Sequence, residues 1–407
     1  MSLLVQKFGG TSVADAACIN SVAAHVCKEL AAGNSVVAVV SAMAGETNRL
    51  LSLASSISAE PTPLHRDFLL STGEQVTVAL LGIALAKQGI ESTPFLGHQA
   101  KIVTDSKHGR ARIRHIDPKK ISAALSKNKV AIIAGFQGVS EEGCITTIGR
   151  GGSDTTAVAL AAALKAKRCD IYTDVAGVYT TDPRICKSAS LLKELTYEEM
   201  LELAGSGAKV LHGRAVEIAA KHRVPLRVLS SFAAGEGTQI VAEENKVMED
   251  ILVAGITLNV DEAKVAIRKV PDKVGIPAKL FRPLAEADIN VDMILQNIAQ
   301  DGTTDLTFTV PKEDLKQAMI LSEGVAKNIE AERVEAASDI AKISVIGVGM
   351  RSHAGVAHTM FEVLAQAGIG IQMISTSEIK VAIVIDIKYA ELAVRLLHKA
   401  FGLERIG

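Results

Sequence analysis

A lysine and two glycines at the end of a short apolar run open the chain. The order Lys7-Phe8-Gly9-Gly10-Thr11-Ser12 follows a strand-like stretch and precedes an Ala-rich, helix-like one. Paired glycines let backbone approach an anion closely. A following helix N-terminus adds N–H groups and a positive dipole end, and Lys7 adds a full charge. These are the parts of a phosphate-binding turn. It is not a Walker A loop, because GxxxxGK[ST] occurs nowhere in the chain. Taken alone, the motif also fits a structural turn with a solvent-facing lysine.

A second Gly-rich turn is Thr147-Ile-Gly149-Arg150-Gly151-Gly152-Ser153-Asp154. Ser153 and Asp154 suit the N-cap and first turn of a helix. Arg150 offers a planar fork for a carboxylate, and Asp154 an acceptor for an ammonium group. Both charge signs on one turn suit a zwitterionic substrate. The plainer alternative is a helix cap beside a surface arginine. A third segment, from Thr173-Asp174 through Tyr179 to Asp182-Pro183-Arg184, has the Asp, Tyr and Arg mixture that fits a nucleotide, and a surface loop explains it equally well. Ser41 to Asn48, including Thr47, and Ser71-Thr-Gly73-Glu74 end apolar segments with small polar residues. Each could line a cleft at strand ends, and each alone reads better as a helix start. His65-Arg66-Asp67-Phe68 mimics a protein-kinase catalytic loop, but Thr72 stands where Asn is needed and no DFG or APE follows. His353 and His358 lack companions at metal-ligand spacing.

Positioning these turns requires an alternating scaffold. Short β-branched runs at 3–8, 35–41, 130–135 and 169–173 are separated by helical stretches at 15–30, 66–88 and 153–165. That alternation predicts an α/β domain with a mostly parallel sheet sandwiched by helices. The Ala-rich run 157–164 predicts a buried helix. Residues 243–250 are charged and linker-like. Beyond them the chain repeats itself at an offset of 80 residues, pairing Gly275 with Gly355, Phe281 with Phe361, Leu284 with Leu364 and Met293 with Met373. Each copy predicts a ferredoxin-like βαββαβ unit. The expected division is an α/β domain over 1–245, a first repeat unit over 250–335 and a second over 336–407, with a strand in 250–262 able to pair with the second unit.

The 407 residues are 48% hydrophobic and 22% charged, with a net charge of −1. No basic excess exists for nucleic acid, and aromatics at 3% with no Trp offer no base-stacking platform. No leader-like segment opens the sequence, no apolar run approaches a membrane span, and five cysteines without CxxC spacing read as reduced core thiols. A cytoplasmic protein without membrane or nucleic-acid partners is the expectation.

The three motifs, together with Gly207-Ala-Lys209-Val-Leu-His212, resemble in order the signatures of the aspartate kinases of the amino-acid kinase family. The tail resembles their paired ACT domains through Asp272-Lys273-Val274-Gly275, Ile289-Asn290-Val-Asp-Met-Ile294, Gln296-Asn297 and Ile374-Ser-Thr-Ser-Glu378. The resemblance implies ATP with Mg²⁺, the latter carried by the nucleotide, and L-aspartate as acceptor, giving 4-phospho-L-aspartate, the first step towards lysine, threonine and methionine. It implies that Lys7 stabilises the transferring group and that Thr47, Glu74, Arg150, Ser153 and Asp154 hold aspartate, Asp154 also counting among the catalytic residues. Phe8, Gly9, Gly10, Ser41, Thr173, Asp174, Tyr179, Arg184 and Lys209 would bind ATP. Lysine or threonine would bind the first repeat at Asp272, Lys273, Val274, Gly275, Asn290, Gln296 and Asn297. Ser352, Gly355 and Gly370 give the second repeat less polar grip. A homo-oligomer through the ACT units is implied, with Met248 a possible start for a separate ACT-only subunit. The runners-up are a kinase for glutamate or carbamate, and a non-catalytic amino-acid sensor.

Overall fold

A computed structural model describes residues 2–242, 253–298, 302–352 and 355–405. The predicted linker at 243–250, Met248 and His353 lie outside the described residues. The main sheet has eight strands: β1 (Leu3–Phe8), β2 (Ser35–Val40), β3 (Ser92–Phe95), β6 (Val130–Ala134), β9 (Arg168–Thr173), β10 (Glu194–Thr196), β11 (Leu226–Ser230) and β12 (Thr238–Val241), in the order β10-β12-β11-β9-β1-β2-β6-β3. From β11 to β3 all neighbours run parallel, and β12 joins β11 antiparallel. The central strands are apolar at almost every position because both faces are covered. Val5, Val37, Val39, Ile133 and Ile171 face one core, while Phe8, Val36, Val40, Ile132 and Tyr172 face the other. Pro94, which cannot donate to a ladder, sits in the edge strand β3.

The helices α1 (Ala16–Ala31) and α4 (Thr72–Lys87) cover the second core, and α6 (Gly152–Ala163), α7 (Tyr197–Gly205) and α8 (Gly213–His222) the first. As expected of its Ala run, α6 is buried from Gly152 to Ala161. The stretch expected as one helix over 66–88 is two, α3 (Pro63–Leu70) and α4, broken at Ser71. Residues 63–87 are, among the described residues, the one helical run long and apolar enough to cross a membrane by length and composition, and half of it is buried inside the protein. Val78, Leu81 and Leu85 pack it against the sheet, which makes it a core helix.

A smaller four-stranded sheet, β5-β4-β7-β8, is built from β4 (Ile102–Thr104), β5 (Ile113–Ile116), β7 (Gln137–Ser140) and β8 (Ile145–Thr147). It delivers the chain into the 147–154 turn.

The tail forms two more four-stranded antiparallel sheets. β14 (Glu262–Pro271), β15 (Ile294–Ile298), β16 (Thr303–Pro311) and β17 (Arg333–Ala337) pair in the order β15-β16-β14-β17, backed by α9 (Ile276–Glu286) and α10 (Leu315–Asn328). The second unit holds β18 (Ile340–Ile346), β19 (Ile371–Thr376) and β20 (Lys380–Asp386), with α11 (Val356–Gln366) and α12 (Ala390–Ala400). Its fourth strand is β13 (Gly255–Asn259), which precedes the first unit in the chain, so the order is β13-β18-β20-β19. The chain thus enters the second unit, builds the whole first one and returns. The repeat-related Met293 and Met373 meet between the units with Ile340 and Val384.

Candidate functional site

The parallel strands end at one rim of the sheet, where an α/β fold leaves a crevice. A cleft of about 340 Å³ opens there, lined by Lys7, Gly10, Ser41 to Gly45, Thr47, Glu74, Phe136 and Gly149 to Asp154. The phosphate turn and the second Gly-rich turn therefore face one space. Lys7 leaves the end of β1 and its Nζ lies 2.6 Å from Asp154 Oδ1, both side chains being about nine-tenths buried. That oxygen accepts no aligned hydrogen bond, so the contact is an ion pair.

Two local expectations need correction. The helix after Gly9-Gly10 does not begin at the turn: a single 3-10 turn over Thr11–Val13 intervenes, and α1 starts at Ala16, where Asp15 accepts from the Cys18 amide. A carboxylate already caps that dipole, so α1 cannot be the anion site. The helix end that does reach the cleft belongs to α6. Its N-cap is Gly151, in the left-handed conformation at φ 67°, so Ser153 and Asp154 stand inside the first turn and not at the cap. An added Cβ on Gly151 would meet His212 Cβ at 2.2 Å, so this crossing of the turn and α8 admits only glycine. Burial lowers the His212 imidazole below its ordinary pKa, and its Nδ1 has no hydrogen-bond partner.

Glu74, in the first turn of α4, is buried at 3% exposure. Its Oε1 accepts from the Ala42 amide at 3.1 Å, and its Oε2 has no partner. Burial pushes the carboxyl up to about 8, against the pull of the amides of Glu74 and Ala42. A buried, unpaired oxygen in a polar cleft is an acceptor left open for a donor that enters the cleft. Asp154, by contrast, is already engaged by Lys7. The ammonium-holding role expected of Asp154 therefore fits Glu74 better. In the free protein Glu74 is mostly neutral at pH 7 and must ionise to hold an ammonium group. KM for an amino-acid substrate should therefore rise as pH falls below 8, by up to about tenfold per unit. Glu74→Gln should raise KM and flatten that dependence between pH 6 and 8, and an unchanged slope would remove Glu74 from the substrate contacts.

Other expected residues fall elsewhere. Phe8 is fully buried, its ring stacked on Tyr172 at 4.8 Å, so only its backbone faces the turn: its carbonyl accepts from the Ser41 amide. Gly9 donates its amide to the Tyr172 carbonyl, linking β1 and β9. Thr173 ends β9 with its hydroxyl on Asp174, beside the main cleft but not lining it. Arg184 forks onto Asp182, and that pairing holds the Asp182 carboxyl below its usual range. Tyr179 bridges to Leu191. Lys209, expected to close the nucleotide pocket, is exposed and pairs at 2.9 Å with Asp261. Phe136 was missed. It lines the cleft at φ 66°, packed on Gly152. Gly135 and Gly138 around it, at the end of a buried strand, were the available signal.

The residues expected to bind an effector divide into two groups. Asp272 to Gly275 turn from β14 into α9, with Val274 fully exposed and Gly275 the N-cap at φ 90°. Gln296 and Asn297 lie on β15, opposite Leu306 and Asp305. Asn290 follows the far end of α9. Asp292 there bonds Thr309, which pairs with Lys264, seven residues and about 20 Å of strand before Pro271. One protomer does not bring Asn290 to the 272–275 turn.

A parallel sheet whose strand ends present a lysine-bearing glycine turn, an arginine-bearing glycine turn and a buried carboxylate in one cleft defines a small-molecule phosphotransferase. Residues 2–230 match the amino acid kinase family, and residues 268–321 and 343–401 match the ACT domain. The chain is 55% identical over 404 residues to the aspartate kinase of Pseudomonas putida, covering 99% of this chain and 98% of that one. Its fold is similar to E. coli aspartokinase III in complex with aspartate and ADP, at 28% identity and TM-score 0.81 over 98% and 99% of the two chains. The same enzyme in complex with lysine and aspartate matches at 27% identity and TM-score 0.76, over 98% and 99%. The chain belongs to the aspartate kinases, within the amino acid kinase family.

Proposed function

We propose that this chain transfers the γ-phosphoryl group of ATP to the β-carboxylate of L-aspartate, giving ADP and 4-phospho-L-aspartate for lysine, threonine and methionine synthesis. The observation that carries this reading is the shared cleft of Lys7, Asp154, Glu74 and Arg150. Glu74 Oε2 takes the substrate ammonium, Arg150 forks onto the α-carboxylate, and Thr47 and Ser153 complete the cradle. The attacking β-carboxylate is ionised at neutral pH, since such groups titrate near pH 4, so no general base is needed. The work is alignment and charge neutralisation. Lys7, held by Asp154, meets the charge on the transferring group, and the Gly9-Gly10 backbone lies against the phosphates with Ser41. Thr173, Asp174, Tyr179 and Arg184 follow the neighbouring strand end and are assigned to the nucleotide. Mg²⁺ would enter on the ATP phosphates, whose charge it would help neutralise. The catalytic domain is assigned to 1–245 and the two ACT domains to 250–335 and 336–407, with β13 in the second. A cytoplasmic setting fits this chemistry.

Trapping the acyl phosphate as a hydroxamate tests the assignment. Turnover is expected with aspartate and not with glutamate or with bicarbonate and ammonia. A preference for either alternative would overturn it.

The ACT units are assigned as sensor and oligomer contact. β15 and β19 are outer strands of their sheets, and the repeat-related Ile294 and Ile374 stand exposed on them. Unpaired edges of this kind are covered by a second copy, and a second copy could supply Asn290 to the 272–275 turn. Lysine or threonine bound there would bias the link to the kinase domain, where Lys380 pairs with Glu202 and Thr180 bonds the buried His398. Met248 as the start of an ACT-only subunit belongs to the same reading. Asn290→Ala is expected to weaken inhibition by lysine, threonine or both at least tenfold, with uninhibited turnover within twofold of the parent. Unchanged inhibition curves would place the effector elsewhere.

A further inference from the structure

Asp67 is fully buried on α3, outside the cleft, and the phosphoryl-transfer reading gives it no role. Its Oδ2 accepts from the Thr147 amide at 2.9 Å and the Gly109 amide at 2.9 Å, and lies 3.0 Å from His108 Nδ1. Its Oδ1 accepts from the Thr147 hydroxyl at 2.7 Å. A buried carboxylate both of whose oxygens accept from donors fixed on other elements is a rigid joint, and a buried network of this kind is specific in geometry.

The joint sits between the two arms of the substrate cradle. On one side, α3 runs through Ser71 into α4, which places Glu74 two helical turns beyond Asp67, about 10 Å away. On the other side, Thr147 ends β8 three residues before Arg150. A second tie acts in the same direction: Gln137 Nε2 donates to the Ser71 carbonyl at 2.9 Å, next to Phe136. From the opposite side, Arg214 donates to the Ile148 carbonyl at 2.7 Å and the Ala111 carbonyl at 3.0 Å. The segment leading into Gly149-Arg150 is therefore clamped between α3 and α8, and the Asp67 carboxylate is the joint that ties it directly to the helix leading to Glu74, with the Gln137–Ser71 bond beside it.

We infer that Asp67 is a positioning residue that sets the separation of the ammonium receptor Glu74 from the carboxylate receptor Arg150, and hence the affinity for the acceptor amino acid. This rests on the assignment of those two residues to the acceptor. The nucleotide contacts assigned above leave mainly from the ends of β1, β2 and β9, and the Asp67 hydrogen bonds go to none of these strands. A shift of about 1 Å in a binding group is enough to cost two orders of magnitude in rate.

Asp67→Asn keeps the size and one acceptor oxygen but faces the donors with an amide NH₂. In the full-length protein it is expected to raise KM for aspartate at least tenfold while KM for ATP stays within twofold. Thr147→Val, which removes only the hydroxyl arm, is expected to raise KM for aspartate about threefold, again with ATP unaffected. A folded Asp67→Asn protein with unchanged KM for aspartate, or with both KM values raised equally, overturns the inference. If Asp67→Asn does not fold, Thr147→Val decides alone, and wild-type KM for aspartate in that variant overturns it. Arg150→Lys, measured alongside, separates the two readings: a point charge cannot replace the fork, so KM for aspartate must rise. If it does not, the acceptor assignment is at fault; if it does while Asp67→Asn has no effect, only the positioning role is.

Discussion

Lys7→Ala is expected to reduce kcat by two to three orders of magnitude while KM for aspartate changes little. Lys7 stands at the end of β1 with its ammonium in the cleft, and its charge interacts most with negative charge that develops during transfer. Removing one preorganised electrostatic contact of this kind costs about 2.7–4 kcal/mol in the transition state. The same substitution leaves Asp154 with a buried oxygen and no cation beside it. Breaking a buried pair on one side destabilises by about 3–5 kcal/mol, so the melting temperature should fall as well. The two effects separate in the double variant Lys7→Ala with Asp154→Asn, where no charge is left unpaired. Its stability should recover towards the parent value and its turnover should not. Near-normal kcat in Lys7→Ala would falsify the role of this lysine in transfer.

The elements that carry Lys7 and the α6 turn were legible because their signals are local. Runs of Val and Ile at 35–41 and 130–135 can be stable only as strands covered on both sides, and β2 and β6 are buried along nearly their whole length. The 80-residue repeat likewise dictated two similar units. What stayed hidden depends on packing between segments distant in sequence. The break at Ser71 carries no Gly or Pro and divides two apolar helices, so periodicity runs straight through it. The strand β13, which precedes the first repeat and pairs with β18 of the second, lies in the stretch 250–262 for which such a pairing was expected, although its bounds and register depend on that distant partner. Asp67 illustrates the same limit: its neighbours His65, Arg66 and Phe68 suggest a kinase loop that the chain does not otherwise have, while its partners Gly109 and Thr147 lie 42 and 80 residues away. Glu74 was singled out in the sequence, but its burial was not legible there, and burial is what raises its pKa and leaves one oxygen without a partner.

Gly151→Ala is expected to lower kcat/KM for aspartate by about a hundredfold without touching any group that meets a substrate. Two costs combine at this position. The residue lies at φ 67°, where an L side chain costs roughly 1–2 kcal/mol. A new Cβ would also stand 2.2 Å from His212 Cβ and 2.3 Å from its Cγ, distances that no relaxation of a side-chain tip can relieve. His212 cannot step aside easily, because it is the N-cap of α8, and the next turn of that helix holds Ala215, Val216 and Ala219 in the main core. The yielding partner is therefore the 149–152 turn, which carries Arg150 and the start of α6, and through Asp154 the lysine as well. Displacement of that turn by about an ångström misaligns both the acceptor and the transferring group, so kcat and KM should worsen together, unlike in Lys7→Ala. Gly143→Ala supplies the comparison. That glycine also has a positive φ, 86°, but nothing lies within 4 Å of the added Cβ and it is remote from the cleft. It should lose a similar amount of backbone stability and keep kcat/KM within twofold of the parent. Equal activity in the two variants would mean that the contact between the turn and α8 does not set the cleft's geometry.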